Sequence, residues 1–440
     1  MISKLKYTSL FVIMSIALLV FVGQPNITEA KSFETKAKTA ILVDADSGKI
    51  LYAKDENEAL PPASMTKMMT EYLVLEQIDK GEIDWDSKVQ IGDYPYELSG
   101  NDDFSGVGLR QNVDYTVEQL YEAMAINSDN ATTAALAEFI ADSEGEFVKM
   151  MNDKAEELGM TESKFVNASG LDNESLDGNH PEGTEADDTN LMSAKDAAIL
   201  AYNLITDYPE SLEISSIPST DFDGQEIRNW NYMLKHDTDY LKDFYYEGLD
   251  GLKTGNTDLA GFTFTGTAER DGHRLISVVM KTDSVEERFK ETAKLLDYGF
   301  DEFGEKELFP AGYDEFEGNT LPVDKGKEDN VSLELADDLT MTTEEGTEDK
   351  YNIQVNVDES LLNDDGELSA PIKKGTKIGT VELTMEDGED FGYIFDNDDE
   401  QGAAEIVASE DVDKKNWFSL MLGAIGQFFT NLYDKFMGLF

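Results

Sequence analysis

Residues 262–280 read FTFTGTA, then ERDG, then HRLISVVM, two runs rich in aromatic and β-branched residues around an Asp-Gly turn. This pattern is typical of a β-hairpin, with strands over 262–268 and 274–280. A second hairpin is predicted near the start of the chain, where apolar runs at 41–43 and 50–52 flank an Asp- and Gly-bearing turn. The chain therefore carries a predicted strand pair on each side of a long central stretch.

Helical spacing dominates that central stretch. Apolar residues recur at helical intervals over 64–80, 117–126 and 131–140. A capping-box pattern at its end predicts one more helix over 284–296. Strands on both sides of a helical middle predict an α/β (α+β) fold with an antiparallel sheet and a helical subdomain, rather than a parallel doubly wound sheet.

The pattern of apolar and polar residues changes at Phe303. Apolar and polar residues alternate with a period of two, and turn signals separate the runs, so we predict a second, small all-β sandwich domain over 303–408. The first domain of the mature chain would then cover 31–302. The alternating runs and one shorter apolar run that closes the set are 331–335, 353–357, 381–385 and 406–408.

The first 30 residues have the features of a secretory signal peptide. Lys4 and Lys6 precede an apolar run over 10–22, and Thr28-Glu29-Ala30 offers small residues for cleavage. A retained membrane anchor is the alternative, although the run is short for a membrane span. The mature chain is expected to act outside the cytoplasm.

The last segment, 416–440, follows a short charged linker over 409–415. Its large apolar residues fall on one side of a helix and polar residues on the other, which is typical of a helix lying in a membrane interface. The alternative is a helix docked on the protein's own surface. We expect peripheral attachment to the outer face of the cytoplasmic membrane, through hydrophobic burial more than lipid charge.

Composition excludes several classes of function. The chain has 440 residues and a net charge of −57, which argues against a nucleic-acid partner because phosphate contact needs a basic face. It has no cysteine and three histidines, so neither thiolate chemistry nor a His-rich metal site is expected, and no cofactor is predicted. The acidic residues are spread along the chain, as in proteins that work in high salt, so we expect a halophilic source.

Three short motifs carry the predicted chemistry: Ser64-Met65-Thr66-Lys67, Ser128-Asp129-Asn130 and Lys253-Thr254-Gly255. Each alone is weak, because the pattern of the first also occurs at Ser3–Lys6 and that of the second at Ser99–Asn101. In this order, and in a helix start, a loop between helices and a strand, the set is typical of serine β-lactamases and penicillin-binding proteins.

A serine hydroxyl needs a base to become a nucleophile. Ser64 and Lys67 lie one helical turn apart, so the amine can reach the hydroxyl, and Lys67 must be neutral at the moment of attack. Burial and the nearby charge of Lys253 would lower the pKa of Lys67. We expect Ser128 to relay a proton, and Asn130 to orient Lys67 and bind the substrate amide. Lys253 and Thr254 are expected to bind the terminal carboxylate, and Gly255 to let the substrate backbone approach closely. The N–H groups of Ser64 and Asn256 would form the oxyanion hole.

With these motifs, and with residues 45–52, 62–67, 251–257 and 260–261, the chain resembles the low-molecular-mass penicillin-binding proteins, specifically the D-alanyl-D-alanine carboxypeptidases like penicillin-binding protein 5. The resemblance covers nearly all of the mature chain. It implies an acyl-enzyme on Ser64, removal of the terminal D-Ala from the peptidoglycan pentapeptide, and acylation of the same serine by β-lactams.

Three departures from the family pattern stand out. Asp129 occupies a position where many relatives have Gly. The loop over 171–190 is longer and more acidic than usual, which would affect substrate access. Trp230 is taken to stand where some relatives place Arg, so no carboxylate-binding role is assigned to it.

Other functions remain open on the same residues. A β-lactamase would share the acylation residues, but the E-x-x-L-N segment that positions the deacylating water in class A enzymes does not occur between Ser128 and Lys253. A membrane-tethered wall-binding or β-lactam-sensing protein is the non-catalytic alternative, and the intact Ser64, Lys67 and Lys253 argue against it. The sequence does not decide between carboxypeptidase, endopeptidase and transpeptidase activity.

Overall fold

The computed structural model describes residues 33–385, 390–395, 404–416 and 421. The predicted signal peptide, residues 1–30, and nearly all of the predicted membrane-binding segment, 416–440, lie outside the described residues. No helix in the described part of the chain is long and apolar enough to cross a membrane.

The central element is a five-stranded antiparallel sheet in the order β2-β1-β9-β8-β7. Both predicted hairpins belong to it: Ile41 lies opposite Ala53 in the first and Thr265 lies opposite Val278 in the second. The antiparallel sheet predicted from the sequence is therefore confirmed. Its strands are β1 (Thr39–Asp44), β2 (Ile50–Lys54), β7 (Leu249–Thr257), β8 (Gly261–Arg270) and β9 (His273–Thr282).

Five of the eight α-helices described start at a side chain that caps their first turn. Ser143, Ser193 and Ser284 each accept a hydrogen bond from a backbone N–H three residues on, which satisfies one of the free N–H groups of a helix start. The α-helices are α1 (Lys67–Asp79), α2 (Asp93–Ser99), α3 (Val117–Asn127), α4 (Asn130–Ala141), α5 (Glu144–Glu157), α6 (Ala194–Asp207), α7 (Glu210–Ser215) and α8 (Val285–Glu302). Two short hairpins accompany them: β3 (Lys88–Val89) with β4 (Tyr115–Thr116), and β5 (Ser219–Phe222) with β6 (Gln225–Arg228).

Alternate residues of the sheet pack against different partners. Ile41 and Val43 of β1 belong to the core shared with the helical subdomain. Leu42 between them packs on α8, where a Cβ at Gly299 would lie 2.8 Å from the Leu42 side chain. The period of two along β1 therefore explains how one strand packs against the helical subdomain on one face and against α8 on the other.

The C-terminal region is all-β with its own apolar core. Strand β10 pairs with β13, and a six-stranded sheet has the order β14-β16-β17-β12-β11-β15. All four predicted runs are found in β12, β14, β16 and β17. The strands are β10 (Phe303–Phe309), β11 (Thr320–Asp324), β12 (Asn330–Leu335), β13 (Leu339–Glu344), β14 (Tyr351–Val357), β15 (Leu368–Ser369), β16 (Lys377–Met385) and β17 (Ala404–Ala408).

Three local predictions differ from the structure. The helix predicted to start at Ser64 begins with a 3₁₀ turn, Ala63–Thr66, before α1. Helix α8 continues past Leu296 to Glu302 because its buried face continues through Gly299. The segment 171–190 is no purely surface loop, since its buried residues include Asn173, Leu176 and Asn190.

Candidate functional site

The turn that carries Ser64 sets the spacing of the site. A 3₁₀ helix has three residues per turn, so residues i and i+3 lie directly above one another. The turn Ala63–Thr66 therefore aligns Ser64 with Lys67, the first residue of α1. Ala63 enters this turn with φ of +50°, a conformation that non-glycine residues rarely adopt.

The amine of Lys67 is held by three oxygen atoms. Its Nζ lies 3.0 Å from Ser64 Oγ, 2.9 Å from Asn130 Oδ1 and 2.7 Å from the carbonyl oxygen of Ser169. The side chain is 0% exposed. The partner from residue 169 is a backbone atom, and the sequence contains no pattern that would have identified it.

The environment of Lys67 favours the neutral amine. Burial, followed by the positive charge of Lys253, holds the pKa of Lys67 well below its ordinary value, against the opposing charges of Asp129 and Glu71. A neutral amine has two hydrogens and one lone pair. Two of its three contacts, Asn130 Oδ1 and the Ser169 carbonyl, can only accept, so the lone pair is left for the Ser64 hydroxyl proton.

The second motif forms the junction between two helices. Ser128 ends α3 in the left-handed conformation, with φ of +61°, and Asp129 caps α4, whose first residue is Asn130. The sharp reversal at Ser128 brings its hydroxyl to the same cavity as Ser64. The Nδ2 group of Asn130 donates to the carbonyl oxygen of Ser105, 3.1 Å away, and this bond fixes the amide with its oxygen toward Lys67.

Asp129 has a structural role at the departure from the family pattern. Its carboxylate is fully buried and accepts hydrogen bonds from the N–H of Thr132 at 2.5 Å and the N–H of Val107 at 2.6 Å. The first bond caps α4 and the second ties the loop before α3 to the helix junction. The flanking Ser128 and Asn130 keep their predicted positions.

The third motif lies on β7, the edge strand of the central sheet. Lys253 and Thr254 are buried, and Gly255 lies opposite Thr263 of β8. A Cβ at Gly255 would lie 2.5 Å from the carbonyl oxygen of Pro62. Glycine is thus needed here for the approach of the chain's own nucleophile turn, and a close approach of the substrate at Gly255 stays a prediction.

The three motifs meet at one cavity of about 470 Å³. The predicted residues that line it are Ser64, Ser128, Asn130, Thr254, Gly255 and Asn256. Lys67 and Lys253 are buried behind this lining. Two acidic loops also contribute, through Asp103 and Asp172, and Trp230 lies on the rim with 45% of its surface exposed.

Other side chains at the site were not predicted. Arg288 of α8 is buried behind β7 and donates to the carbonyl oxygens of Gly255 at 3.0 Å and Thr263 at 3.3 Å. Gly170 has φ of +85°, and a Cβ there would collide with the carbonyl of Ala63, so only glycine lets this segment reach the nucleophile turn. The sequence around Gly170 offers only a Ser-Gly pair as a signal.

The geometry agrees with what comparison with known proteins finds. Residues 25–284 match the family described as D-alanyl-D-alanine carboxypeptidase, and residues 303–414 match the C-terminal domain of penicillin-binding protein 5. The D-alanyl-D-alanine carboxypeptidase DacF of Bacillus subtilis is 32% identical over 396 residues, which are 89% of this chain and 90% of the relative.

Solved structures lead to the same family. A peptidoglycan synthesis regulatory factor (PBP3) from Streptococcus pneumoniae is similar with a TM-score of 0.66 and 38% identity, over 87% of this chain and 100% of that one. Penicillin-binding protein D2 of Listeria monocytogenes, in its ampicillin-bound form, is similar with a TM-score of 0.50 and 35% identity, over 63% of this chain and 100% of that one. The chain thus belongs to the D-alanyl-D-alanine carboxypeptidases, a family of serine peptidases, as its motifs had predicted.

Proposed function

We propose that the chain removes the terminal D-Ala of a peptidoglycan pentapeptide through an acyl-enzyme on Ser64. The observation that carries this proposal is the placement of the buried Lys67 amine 3.0 Å from Ser64 Oγ, with its other two contacts made to acceptors.

In the first step the Lys67 amine takes the proton of the Ser64 hydroxyl as Oγ attacks the carbonyl carbon of the penultimate D-Ala. The new C–O bond turns the carbonyl into an oxyanion, for which the N–H groups of Ser64 and Asn256 are the proposed donors. The C–N bond then breaks. Ser128 passes its hydroxyl proton to the leaving amine of the terminal D-Ala and regains a proton from the Lys67 ammonium, and water later hydrolyses the ester on Ser64.

The substrate is held by groups on both walls of the cavity. We assign the terminal carboxylate to Lys253 and Thr254 on β7, because a buried ammonium and a hydroxyl at a strand edge complement a carboxylate. We assign the peptide amide to Asn130 on the opposite wall. A β-lactam carries an acyl group and a carboxylate in a similar relation, so it is expected to acylate the same serine; the Listeria relative was solved in an ampicillin-bound form.

Mass spectrometry of the intact protein with penicillin, followed by D-Ala release from a peptide ending in D-Ala-D-Ala, tests this function. We expect a stable adduct that maps to the peptide containing Ser64, and release of D-Ala. An adduct without release would favour a β-lactam sensor or wall-binding protein, and rapid penicillin turnover without an adduct would favour a β-lactamase. Transfer of the acyl group to an added amine would show a transpeptidase.

We further propose a secreted, two-domain protein attached to the outer face of the membrane by residues 416–440. The boundary between the catalytic and all-β domains is placed at Phe303, the first residue of β10, and the linker at 409–415. Support for attachment comes from the aromatic stripe of the tail, since burying one large apolar side chain contributes about 1.5 kcal/mol or more.

Vesicle binding of the full chain tests the tail. Phe428→Asp, on the apolar side, should weaken sedimentation with both phosphatidylcholine and phosphatidylglycerol vesicles by about tenfold or more, because it removes one buried ring and adds a charge. Asn431→Asp adds the same charge on the polar side and should have little effect. Equal binding of both variants would contradict the proposed face of the helix.

Adaptation to high salt is the third proposal, and it rests on the net charge of −57. At 1 M salt the Debye length is about 3 Å, so repulsion among surface carboxylates is screened. We expect the melting temperature to fall by several degrees when NaCl is lowered from 2 M to 0.05 M. An unchanged melting temperature would count against a halophilic adaptation.

A further inference from the structure

Glu71 is a buried carboxylate that no step of the proposed reaction uses. It follows Ser64 and Lys67 at positions i, i+3 and i+7, so all three residues share one face at the start of α1. Its side chain is 3% exposed. A carboxylate so deeply buried behind a catalytic serine needs a physical reason, because desolvating it is costly.

The groups that face Glu71 come from three elements. Tyr121 of α3 donates its hydroxyl to Glu71 Oε2 over 3.4 Å, and this tyrosine is itself fully buried, with Glu210 of α7 as its more distant acidic neighbour. Lys67 lies one turn back on α1, and Lys253 is buried on β7, a strand that contacts α1. A hydrogen bond of 3.4 Å is long, so it does not explain the carboxylate by itself.

The charge of Glu71 acts more on Lys253 than on Lys67. Burial raises the pKa of Glu71 to about 7, and the strongest opposing effect is the charge of Lys253, ahead of the Tyr121 hydrogen bond and the charge of Lys67. In turn, burial lowers the pKa of Lys253 to about 8, and Glu71 is the first of the charges that act on it, opposing this decrease.

The buried lysines, arginine and carboxylates of the site have balanced charges when Lys67 is neutral. Lys253 and Arg288 are cations, and Glu71 and Asp129 are carboxylates. With Lys67 neutral, two positive charges are balanced by two negative ones. Without the carboxylate of Glu71 a net positive charge would be buried, and Lys253 would release a proton before Arg288, because guanidinium groups remain protonated.

We propose that Glu71 is a positioning residue that keeps Lys253 protonated while Lys67 stays neutral, so that two buried lysines of one site hold different protonation states. The inference rests on the proposed roles of those lysines, Lys67 as the base and Lys253 as the carboxylate-binding cation. It assigns a function to a side chain that touches neither the substrate nor the reacting atoms.

The pH dependence of penicillin acylation in Glu71→Gln tests this role. Glutamine keeps the shape and can still accept from Tyr121, but it removes the charge. Lys253 then loses its proton at lower pH. The alkaline limb of the pH profile of the acylation rate should therefore shift to lower pH by about one unit, which is the usual effect of a nearby opposite charge on a pKa. This corresponds to about a tenfold loss on that limb, with little change near pH 6. Glu71→Asp restores the charge and should return the limb toward the wild-type position.

Glu144→Gln is the matched control. Glu144 of α5 is equally buried, and burial raises its pKa to about 7, but its Oε1 accepts from the N–H of Ala168 and neither lysine contributes to that pKa. Its replacement should leave the alkaline limb in place. If Glu71→Gln does not fold, Tyr121→Phe removes the hydrogen bond to Glu71 and should move the limb in the same direction by less.

An unshifted alkaline limb in Glu71→Gln, or an equal loss of rate at every pH, would overturn the proposal in favour of a purely structural role. If Glu71→Gln does not fold, an unshifted limb in Tyr121→Phe overturns it. Failure of the proposed function looks different: wild type would form no adduct, or Ser64→Ala would still form one. The two ideas therefore fail by separate observations.

Discussion

Replacing Ser64 by alanine is expected to abolish both the penicillin adduct and D-Ala release, with a loss of rate of at least about 10⁴-fold. The hydroxyl is the proposed site of the new covalent bond, and nothing at the site can replace it. Because Ser64 is partly exposed to the cavity and the hydrogen bond described for its hydroxyl is the one shared with Lys67, the variant should keep the fold and its melting temperature.

The measurement is intact-protein mass spectrometry after hours with penicillin, beside D-Ala release by the same sample. Non-covalent binding of a D-Ala-D-Ala peptide should persist in Ser64→Ala, since Asn130, Lys253 and Thr254 remain. An adduct that persists in this variant would place the nucleophile elsewhere and remove the basis of the proposed reaction.

Replacing Lys67 is expected to give the second largest effect, a loss of acylation of about 10²–10⁴-fold, the usual contribution of a positioned general base. Lys67→Met keeps the length of the side chain without an amine. Lys67→Arg keeps a cation that does not deprotonate, so it should be as inactive as the methionine variant if the neutral amine is required.

Acylation rates at several pH values, with melting temperatures alongside, check this prediction. In wild type the rate should rise with pH as the Lys67 ammonium loses its proton, and the depressed pKa of Lys67 places this rise at a lower pH than for an ordinary lysine. Acylation by Lys67→Arg within tenfold of wild type would mean that position 67 supplies charge and not a base.

The sequence predicted the parts of the fold that follow a simple period. The hairpins around residues 44–48 and 269–272 were predicted because strands of alternating or apolar residues meet Gly-bearing turns. The helices at 117–126 and 131–140 were predicted to within about one residue at each end. The catalytic motifs were predicted as a set because three residue types must meet in one place.

The sequence could not predict contacts made by backbone atoms or by distant buried charges. The carbonyl of Ser169 binds Lys67 through an atom that every residue possesses. Glu71 was hidden within an apolar stretch of α1, and only the fold brings it near Lys253. The close contact of Gly255 with the carbonyl of Pro62 was not predicted, because Pro62 lies almost 200 positions away in the sequence.

The two hydrogen bonds that the Asp129 carboxylate accepts limit how the active site can be remodelled. It accepts from the N–H of Val107 and the N–H of Thr132 together, so one side chain joins the loop at Val107 to the helix that begins at Asn130. Any mutation that widens the cleft on this wall also displaces the amide that holds the general base. Selection for resistance to bulkier antibiotics, or engineering for new peptides, is therefore expected to leave the Asp129 carboxylate in place.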